Sequence, residues 1–203
     1  FEKPEWVTLD LGDEDFNVYR PGIDTFTSQK GGFWWIEWGG ERDTIHETEI
    51  VAEKLNQIVY AIWDYLKNKS AIRDDIVDLE MDWVGTIPGK RESRRLIGEY
   101  ILTQSDIDEQ RQFDDAAAYG GYGFDDHDPR GFFDNEIPSM HSANRGPFTI
   151  PLRSLFSKDI HNLFMAGRDI SVTHVGLTAT RVQYTCSQIG QAVGTAAAVC
   201  HQE

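Results

Sequence analysis

The carboxyl-terminal segment narrows the possible folds more than any other part of this 203-residue chain. An apolar run of strand type, Asn162-Leu163-Phe164-Met165-Ala166-Gly167, closes on a glycine and leads into a polar turn. Thr180 to Ala198 then predict one helix, on which Gly190, Gly194 and several alanines make one side unusually small. A strand, a turn and such a helix can direct backbone amides at an anion such as pyrophosphate. The same arrangement also occurs in α/β proteins that bind nothing there.

An amphipathic helix is the clearest element of the first half. Thr44 and Glu47 have the spacing of a capping box, and apolar residues follow them at helical spacing. We predict a helix from about Thr44 to Lys67, ended by Asn68, and a shorter helix capped by Ser70. The apolar stripe of the first helix comprises Val51, Leu55, Ile58, Val59, Ile62, Trp63 and Leu66, and that of the second comprises Ile72, Ile76 and Leu79.

An aromatic segment with a glycine pair at each end spans residues 31–40 and holds Trp34, Trp35 and Trp38. We predict a core strand over Phe33 to Trp38, against which the long helix packs. A flat wall for a planar cofactor or a sugar is the alternative. Further strand-like runs are 6–9, 96–102 and 148–152, so the expected class is α+β with a mixed sheet and helices.

Charge narrows the possible partners. Nineteen basic against thirty-four acidic residues give a net charge of −15, which repels phosphate backbones and anionic lipid headgroups. No apolar run approaches the ~20 residues that span a bilayer. We therefore expect a small-molecule substrate and neither nucleic acid nor a membrane as partner. The first residues carry no readable targeting signal, so localisation stays open.

Several kinds of chemistry lack sequence support. The six histidines and two cysteines form no metal-binding pair, and no nucleophile elbow or phosphate-binding loop is present, so we predict no metal site. Asp125, Asp126 and Asp128 could bind calcium, but a solvated acidic turn is favoured because EF-hand spacing is missing. Cys186 and Cys200 would lie roughly 21 Å apart on one helix and are expected to be free thiols.

Blocks distributed along the chain closely resemble, in order, the carboxyl-terminal part of FAD-dependent oxidoreductases. This family is distantly similar to succinate dehydrogenase and glutathione-reductase-type flavoproteins, and the resemblance covers about residues 30 to 200. The blocks are residues 33–40, 62–65, 88–95, 127–129 and 150–153, followed by 162–171, 173–174, 181–182 and 190–198.

The resemblance implies a domain organisation and a cofactor. Residues 1–155 resemble the substrate-binding domain, and residues 156–203 resemble the segment that returns to complete a Rossmann-like FAD-binding domain. The Gly-rich fingerprint that holds the ADP half of FAD has no counterpart here, so the chain resembles a carboxyl-terminal fragment. Its expected partner is the N-terminal half of the same polypeptide, and by itself it should be inactive and bind FAD weakly.

The resemblance also implies cofactor-binding residues. Ala166, Gly167 and Arg168 would line the cofactor, with either Arg168 or Asp169 facing it. A helix start at Gly190, Gln191 and Gly194 would approach the flavin, where its amides could stabilise negative charge on the reduced ring.

A basic cluster and two further residues complete the expected site. Arg91 and Arg94, with Arg95, either anchor an anionic group of cofactor or substrate or form surface salt bridges. Arg181 and His174 are the expected catalytic residues, since an arginine can fix a carboxylate bidentately and a histidine can move a proton near neutral pH. The alternative for His174 is a hydrogen-bonded structural role.

The leading hypothesis is thus an oxidoreductase whose FAD accepts a hydride or electron pair from a small organic substrate. A carbohydrate-binding or polysaccharide-processing module is the alternative, in which Trp34, Trp35, Trp38 and Tyr122 stack on sugars. A third possibility is an interaction domain without chemistry.

Overall fold

The computed structural model describes residues 1–12, 34–134, 139–143 and 146–202. The chain forms two compact units, each built from two stretches of sequence. Unit 1 comprises Phe1–Lys90 and His127–Ser139, and unit 2 comprises Arg91–Asp126 and Met140–Glu203. These units do not divide at residue 155, and the assignment of residues 1–155 to substrate binding stays a prediction.

The fold is α+β, as expected. The strands are short and form two-stranded sheets, in which β1 pairs antiparallel with β4 and β2 pairs with β3. No helix in the described ranges is long and apolar enough to cross a membrane. The helices are α1 (Thr48–Asn68), α2 (Gln104–Asp108), α3 (His174–Thr180) and α4 (Gln183–Gln202). The strands are β1 (Ala116–Gly120), β2 (Asp125–His127), β3 (Ser139–His141) and β4 (Phe148–Pro151), and short 3-10 turns occupy Gly131–Phe133 and Leu152–Ser154.

Helix α1 confirms the predicted amphipathic helix and ends at Asn68, but it begins four residues later than expected. The reason is that Asp43, not Thr44, caps the preceding turn. Its Oδ1 accepts from the backbone N–H groups of Ile45 and His46, and the Glu47 carboxylate accepts from the N–H of Asp43. The buried face of α1 packs in the core of unit 1 with Val7, Leu11, Trp35, Ile76 and Phe132.

The predicted strand at the aromatic segment is wrong. Residues 34–38 form a turn and an irregular stretch, and Phe33 lies outside the described residues. Trp35 is a core residue and stacks on Phe132 with a ring separation of 6.1 Å. The backbone partner of this stretch is a turn, because the Phe132 N–H donates to the Glu37 carbonyl. The ring of Trp35 therefore serves core packing and not sheet pairing.

The second predicted helix is also wrong. Residues 71–78 form consecutive turns, and these curl around the ammonium group of Lys67. Its Nζ donates to the carbonyls of Ile76, Val77 and Leu79 at 2.8 to 2.9 Å. The ammonium group thus donates hydrogen bonds to backbone carbonyls that would accept from backbone N–H groups in a helix. Residues 6–9, expected as a strand, likewise form a turn and an irregular segment.

Unit 2 has its own core, to which β1, β4, α3 and α4 all contribute. Strand β4 confirms the predicted strand near residue 148. The strands predicted at 96–102 and 162–167 are wrong, because these runs are irregular chain with bends. They take part only in isolated bridges among the described residues, namely Gly98 to Ser157, Leu102 to Val172 and Phe156 to Phe164. The buried core residues are Leu102, Ile107, Ala118, Phe148, Ile150, Leu155, Met165, Ile170, Val172, Leu177, Ala179 and Ile189.

The carboxyl-terminal helix predicted from Thr180 to Ala198 is α4, which begins at Gln183 and ends at Gln202. The segment before it, expected as a turn, contains the short helix α3, which ends at Thr180. Gly190 and Gly194 therefore lie well inside α4 and not at a helix start, so they cannot offer unpaired helix amides. A Cβ at either glycine would meet nothing within 4 Å, which leaves this side of α4 open. Cys186 and Cys200 are free, as expected.

Candidate functional site

The two residues predicted to be catalytic lie at opposite ends of α3 in unit 2. His174 is the first residue of this helix, and Arg181 follows its last. A separation of seven residues is two helical turns, which puts them on one face about 10.5 Å apart along the axis. Each side chain lies beside one of the two acidic residues of β2. Arg181 binds Asp125, and His174 lies near Asp126.

His174 is held by a carboxylate that sequence reasoning missed. Its Nδ1 lies 2.6 Å from Oε2 of Glu92, and the other oxygen of Glu92 contacts Arg95. Its Nε2 lies 3.6 Å from Oδ1 of Asp126. The His174 side chain remains 55% exposed, so solvent and small molecules can reach the ring. The only signal for Glu92 in the sequence is its place inside the basic block of residues 90–95.

Backbone contacts explain how Glu92 and His174 meet across 82 positions of sequence. Leu96 N–H donates to the carbonyl of Asp169, and Leu102 N–H donates to that of Ser171. The segments that carry the two side chains are therefore tied together on both sides of Ile170. Thr173 then starts α3, because its hydroxyl accepts from the Gly176 N–H at 3.4 Å.

Arg181 is anchored by Asp125 and is nearly buried, with 13% of its side chain exposed. Nη2 of Arg181 donates to the backbone carbonyl of Asp125 at 2.7 Å and to its Oδ2 at 3.2 Å. The other carboxylate oxygen of Asp125 lies 3.1 Å from Nε2 of His141, which also contacts the Tyr122 hydroxyl. His141 was not singled out from the sequence, because nothing in its local pattern indicates this contact.

Arg91 lies within electrostatic reach of two other arginines of unit 2, Arg168 and Arg181. Nη1 of Arg168 donates to the backbone carbonyl of Arg91 at 3.3 Å. Burial lowers the pKa of Arg91, and the nearby charges of Arg181 and Arg168 lower it further while Asp125 opposes them. An anion bound beside these guanidinium groups would offset the repulsion between their positive charges. Arg94, which was also expected here, is exposed and joins none of these contacts among the described residues.

The turn at residues 166–169 faces the first half of α4. Burial raises the pKa of Cys186, the charge of Arg168 lowers it and that of Asp169 raises it, so all three groups lie close together. Cys186 and Gly190 are one helical turn apart and share a face. Gly167 adopts φ 95° with open space where a Cβ would point. Ala166, Arg168, Asp169 and Gln191 are exposed.

The acidic turn does not assemble a metal site. Asp125 binds Arg181, and Asp128 binds Arg130, whose hydrogen bond lowers the pKa of the Asp128 carboxyl. Within residues 1–12, 34–134, 139–143 and 146–202 no three or more His, Cys, Asp or Glu side chains form a group that could hold a metal ion.

The aromatic residues do not form the platform that the carbohydrate alternative needs. Trp35 is buried in the core of unit 1, where its ring is covered by Phe132. Trp38 is partly buried, and Arg42 lies over its ring at 5.6 Å. Trp34 makes an edge contact with His127. Tyr122 belongs to unit 2 and contacts His141.

Comparison with known proteins agrees with the chemistry of unit 2. The model of the FAD dependent oxidoreductase family matches residues 3–203, and the chain belongs to this family. It is therefore an oxidoreductase with FAD as its cofactor. No curated protein and no solved structure matches the chain significantly.

The residues present fit such a cofactor. Ser171 Oγ is buried and makes no hydrogen bond with any residue of the described ranges. It lies two positions beyond Asp169, next to the turn that opens at Gly167. An unpaired buried hydroxyl is costly, and open glycine positions and clustered guanidinium groups suit a large, polyanionic ligand.

Proposed function

We propose that unit 2 binds a small organic substrate through an anionic group and removes its proton while the flavin accepts a hydride or electron pair. The observation that carries this proposal is that Arg91 lies near Arg168, Arg181 and Asp125, in a chain of net charge −15, and that His174 is on the same helix face as Arg181. Guanidinium groups gathered in this way are suited to bind a substrate carboxylate.

Arg181 is the group best suited to hold that carboxylate. Its Nη2 is fixed by Asp125, whereas its Nε and Nη1 make no hydrogen bond with any residue in the described part of the chain. These two nitrogens point to different sides of the guanidinium plane, so each can donate a hydrogen bond to a substrate carboxylate. Asp125 thus orients Arg181 through Nη2 and leaves two donors for recognition.

His174 is suited to accept a proton. Its Nδ1 is engaged by Glu92, so Nε2 carries the lone pair in the neutral ring. Oxidation of a carbon that bears an O–H or N–H releases one hydride and one proton. FAD supplies the two-electron acceptor, and Nε2 of His174 takes the proton. The resulting imidazolium lies between Glu92 and Asp126, and both carboxylates stabilise its charge.

A further part of the proposal concerns how FAD is held. The residues near the cofactor are Ala166 to Asp169, Arg91 and the Gly190 face of α4, with Gln191 and Gly194 beside it. No Gly-x-Gly-x-x-Gly occurs in the 203 residues, so the ADP half would be bound by an N-terminal half of the same polypeptide. This chain by itself should then be inactive. Equilibrium dialysis should show FAD binding weaker than micromolar, and tighter binding would contradict this part.

The test of the catalytic proposal is anaerobic stopped-flow reduction of FAD-loaded polypeptide that carries both halves. The probes are a panel of small 2-hydroxy and 2-amino carboxylates, each paired with its uncharged amide. We expect the carboxylates to be preferred and His174→Gln to slow flavin reduction about 10²-fold. His161→Gln is the matched control, because His161 is exposed in the same unit without a partner among the described residues. Reduction of His174→Gln at the rate of the unaltered protein would refute the role of His174.

A further inference from the structure

Glu92 contacts two side chains of unit 2, Arg95 and His174. One of its oxygens contacts the guanidinium of Arg95 and the other contacts Nδ1 of His174. From this geometry we infer that Glu92 is a positioning residue, which fixes the tautomer of His174 so that Nε2 is the atom that accepts the substrate proton. The inference rests on the proposed role of His174 and adds a residue that the sequence did not indicate.

The chemical argument follows from what each group can donate. An ionised carboxylate only accepts hydrogen bonds, so a 2.6 Å contact with Glu92 requires a proton on Nδ1 of His174. In the neutral ring the other nitrogen then has no proton. Nε2 faces Oδ1 of Asp126 at 3.6 Å, where two acceptors cannot bond until Nε2 is protonated. The contact with Glu92 therefore leaves Nε2 as the ring nitrogen that carries the lone pair.

The carboxylate is itself held in place. Arg95 is three residues beyond Glu92 in the chain and 25% exposed, and burial lowers the pKa of its guanidinium. A partly desolvated arginine binds a carboxylate more strongly than an exposed one. Arg95 thus orients Glu92, while the backbone contacts at Leu96 and Leu102 keep its segment beside α3. The arrangement is a base oriented by a third group, as in other proton-transfer sites.

The direct test reads the tautomer and needs no flavin. Histidine is labelled with ¹⁵N, and the His174 signals are assigned by their loss in His174→Gln. At a pH where the ring is neutral, we expect one tautomer with the proton on Nδ1. In Glu92→Ala the tautomer with the proton on Nε2 should rise at least fivefold. Glu92→Gln keeps the shape, and its amide can donate or accept, so both tautomers should appear there also.

Glu99→Ala is the matched control, because Glu99 lies on the same segment, is exposed and contacts no described residue through its side chain. It should leave the tautomer unchanged. A mixture of tautomers in the unaltered protein, or an unchanged single tautomer in both Glu92 variants, would overturn the inference.

A kinetic measurement separates this inference from the proposed function. In FAD-loaded polypeptide with both halves, Glu92→Ala should lower kcat roughly tenfold and leave KM unchanged, because the arginines still hold the substrate. A changed tautomer with an unchanged kcat would show that Glu92 orients the ring without serving catalysis, and would overturn the positioning role. If His174→Gln itself reduces flavin normally, the proposed function fails, while the tautomer measurement still decides what Glu92 does to the ring.

Discussion

The two units each hold a histidine against a glutamate, and the two pairs differ in what surrounds them. In unit 1 Nδ1 of His127 lies 2.7 Å from Glu37, and in unit 2 Nδ1 of His174 lies 2.6 Å from Glu92. The His127 side chain is 15% exposed, against 55% for His174. Contacts of nearly equal length therefore occur in two settings. The pair of Glu37 and His127 is largely buried and is called the closed pair, and the pair of Glu92 and His174 is exposed and is called the open pair.

Around the closed pair, backbone segments lie in direct contact with one another at two glycines. A Cβ on Gly131 would collide with the Glu37 carbonyl, and one on Gly40 would lie 2.6 Å from Pro129. The edge of Trp34 packs on the His127 ring. The open pair instead borders Asp126 and the arginine group of unit 2. The comparison teaches that a histidine–carboxylate contact indicates chemistry only where a reactant can reach the free nitrogen.

The largest effect on the closed pair should come from Gly131→Ala. Gly131 has φ 61°, and the added Cβ would meet the Glu37 carbonyl, so strain and overlap together should cost roughly 3 kcal/mol of unfolding free energy. Gly167→Ala is the matched control, since its φ is also positive but the space is open, and about 1 kcal/mol is expected. Urea denaturation measures both. Equal losses in the two variants would show that close approach contributes nothing.

On the open side, Arg181→Ala should lower kcat/KM by ~10²-fold, or roughly 2.7 kcal/mol, because the substrate carboxylate loses its guanidinium partner. Asp125 would lose its contact with Arg181 and keep that with His141, so stability should fall by about 1 kcal/mol. Arg181→Lys retains the charge and should recover stability better than kcat/KM, since ammonium cannot form the planar contact. Stopped-flow flavin reduction well below the melting temperature gives the rates, and normal reduction by Arg181→Ala would remove Arg181 from the mechanism.

The third prediction compares the two histidines directly. His127→Gln should lower the unfolding free energy by about 1 to 2 kcal/mol, because it breaks a half-buried contact in a tightly packed region. His174→Gln should change it by no more than about 0.5 kcal/mol, since exposed ion pairs contribute little. Thermal unfolding followed by circular dichroism measures both. A reversed order would contradict the distinction between closed and open pairs.

The smallest effect concerns pH and Asp106 of unit 2. Burial raises the pKa of this carboxyl, but hydrogen bonds from Thr103, Arg111 and Tyr100 outweigh it and hold the pKa below 3.8. The ionised form is thus favoured by folding, so its contribution is present above pH ~3.8 and is lost as pH falls through the lower folded value. Asp106→Asn should cost about 1 kcal/mol at pH 7, because it weakens the capping box of α2.

Asp128 of unit 1 is the comparison for Asp106. The Arg130 hydrogen bond lowers its pKa too, so the pH dependence has the same sign, but Asp128 is more exposed and its contribution is screened. Denaturation midpoints from pH 7 down to pH 2 should show the Asp106→Asn difference disappearing at the acid end. A difference that persists at pH 2 would mean that ionisation of Asp106 is irrelevant to stability.

The sequence predicted those elements whose signal is local. The α1 stripe and the β4 run are decided by periodicity over a few residues, and both were found. The aromatic strand and the helix after Ser70 failed because distant groups decide them, namely the turn at Phe132 and the ammonium of Lys67. Propensity is overridden where such a partner satisfies the backbone.

The candidate site shows the same limit. His174 and Arg181 could be picked from residue type and resemblance, and the structure puts both on one face of α3. Glu92 and His141 could not, because their contacts join residues 82 and 16 positions apart. The short helix α3 was also missed, because its residues were interpreted as part of the polar turn that follows Gly167.

The interleaved path of the chain governs the order in which the units can fold. The ribosome must release residues 91–126 before the last stretch of unit 1 emerges, and unit 2 waits for the carboxyl-terminal helices. Loop closure over these distances slows folding. No single cut separates the complete unit 1 from the complete unit 2. Domain dissection at Lys90 would remove residues 127–139 from unit 1, and with them the core residue Phe132, so deletion mapping should report loss of folding of unit 1 before it reports loss of a site.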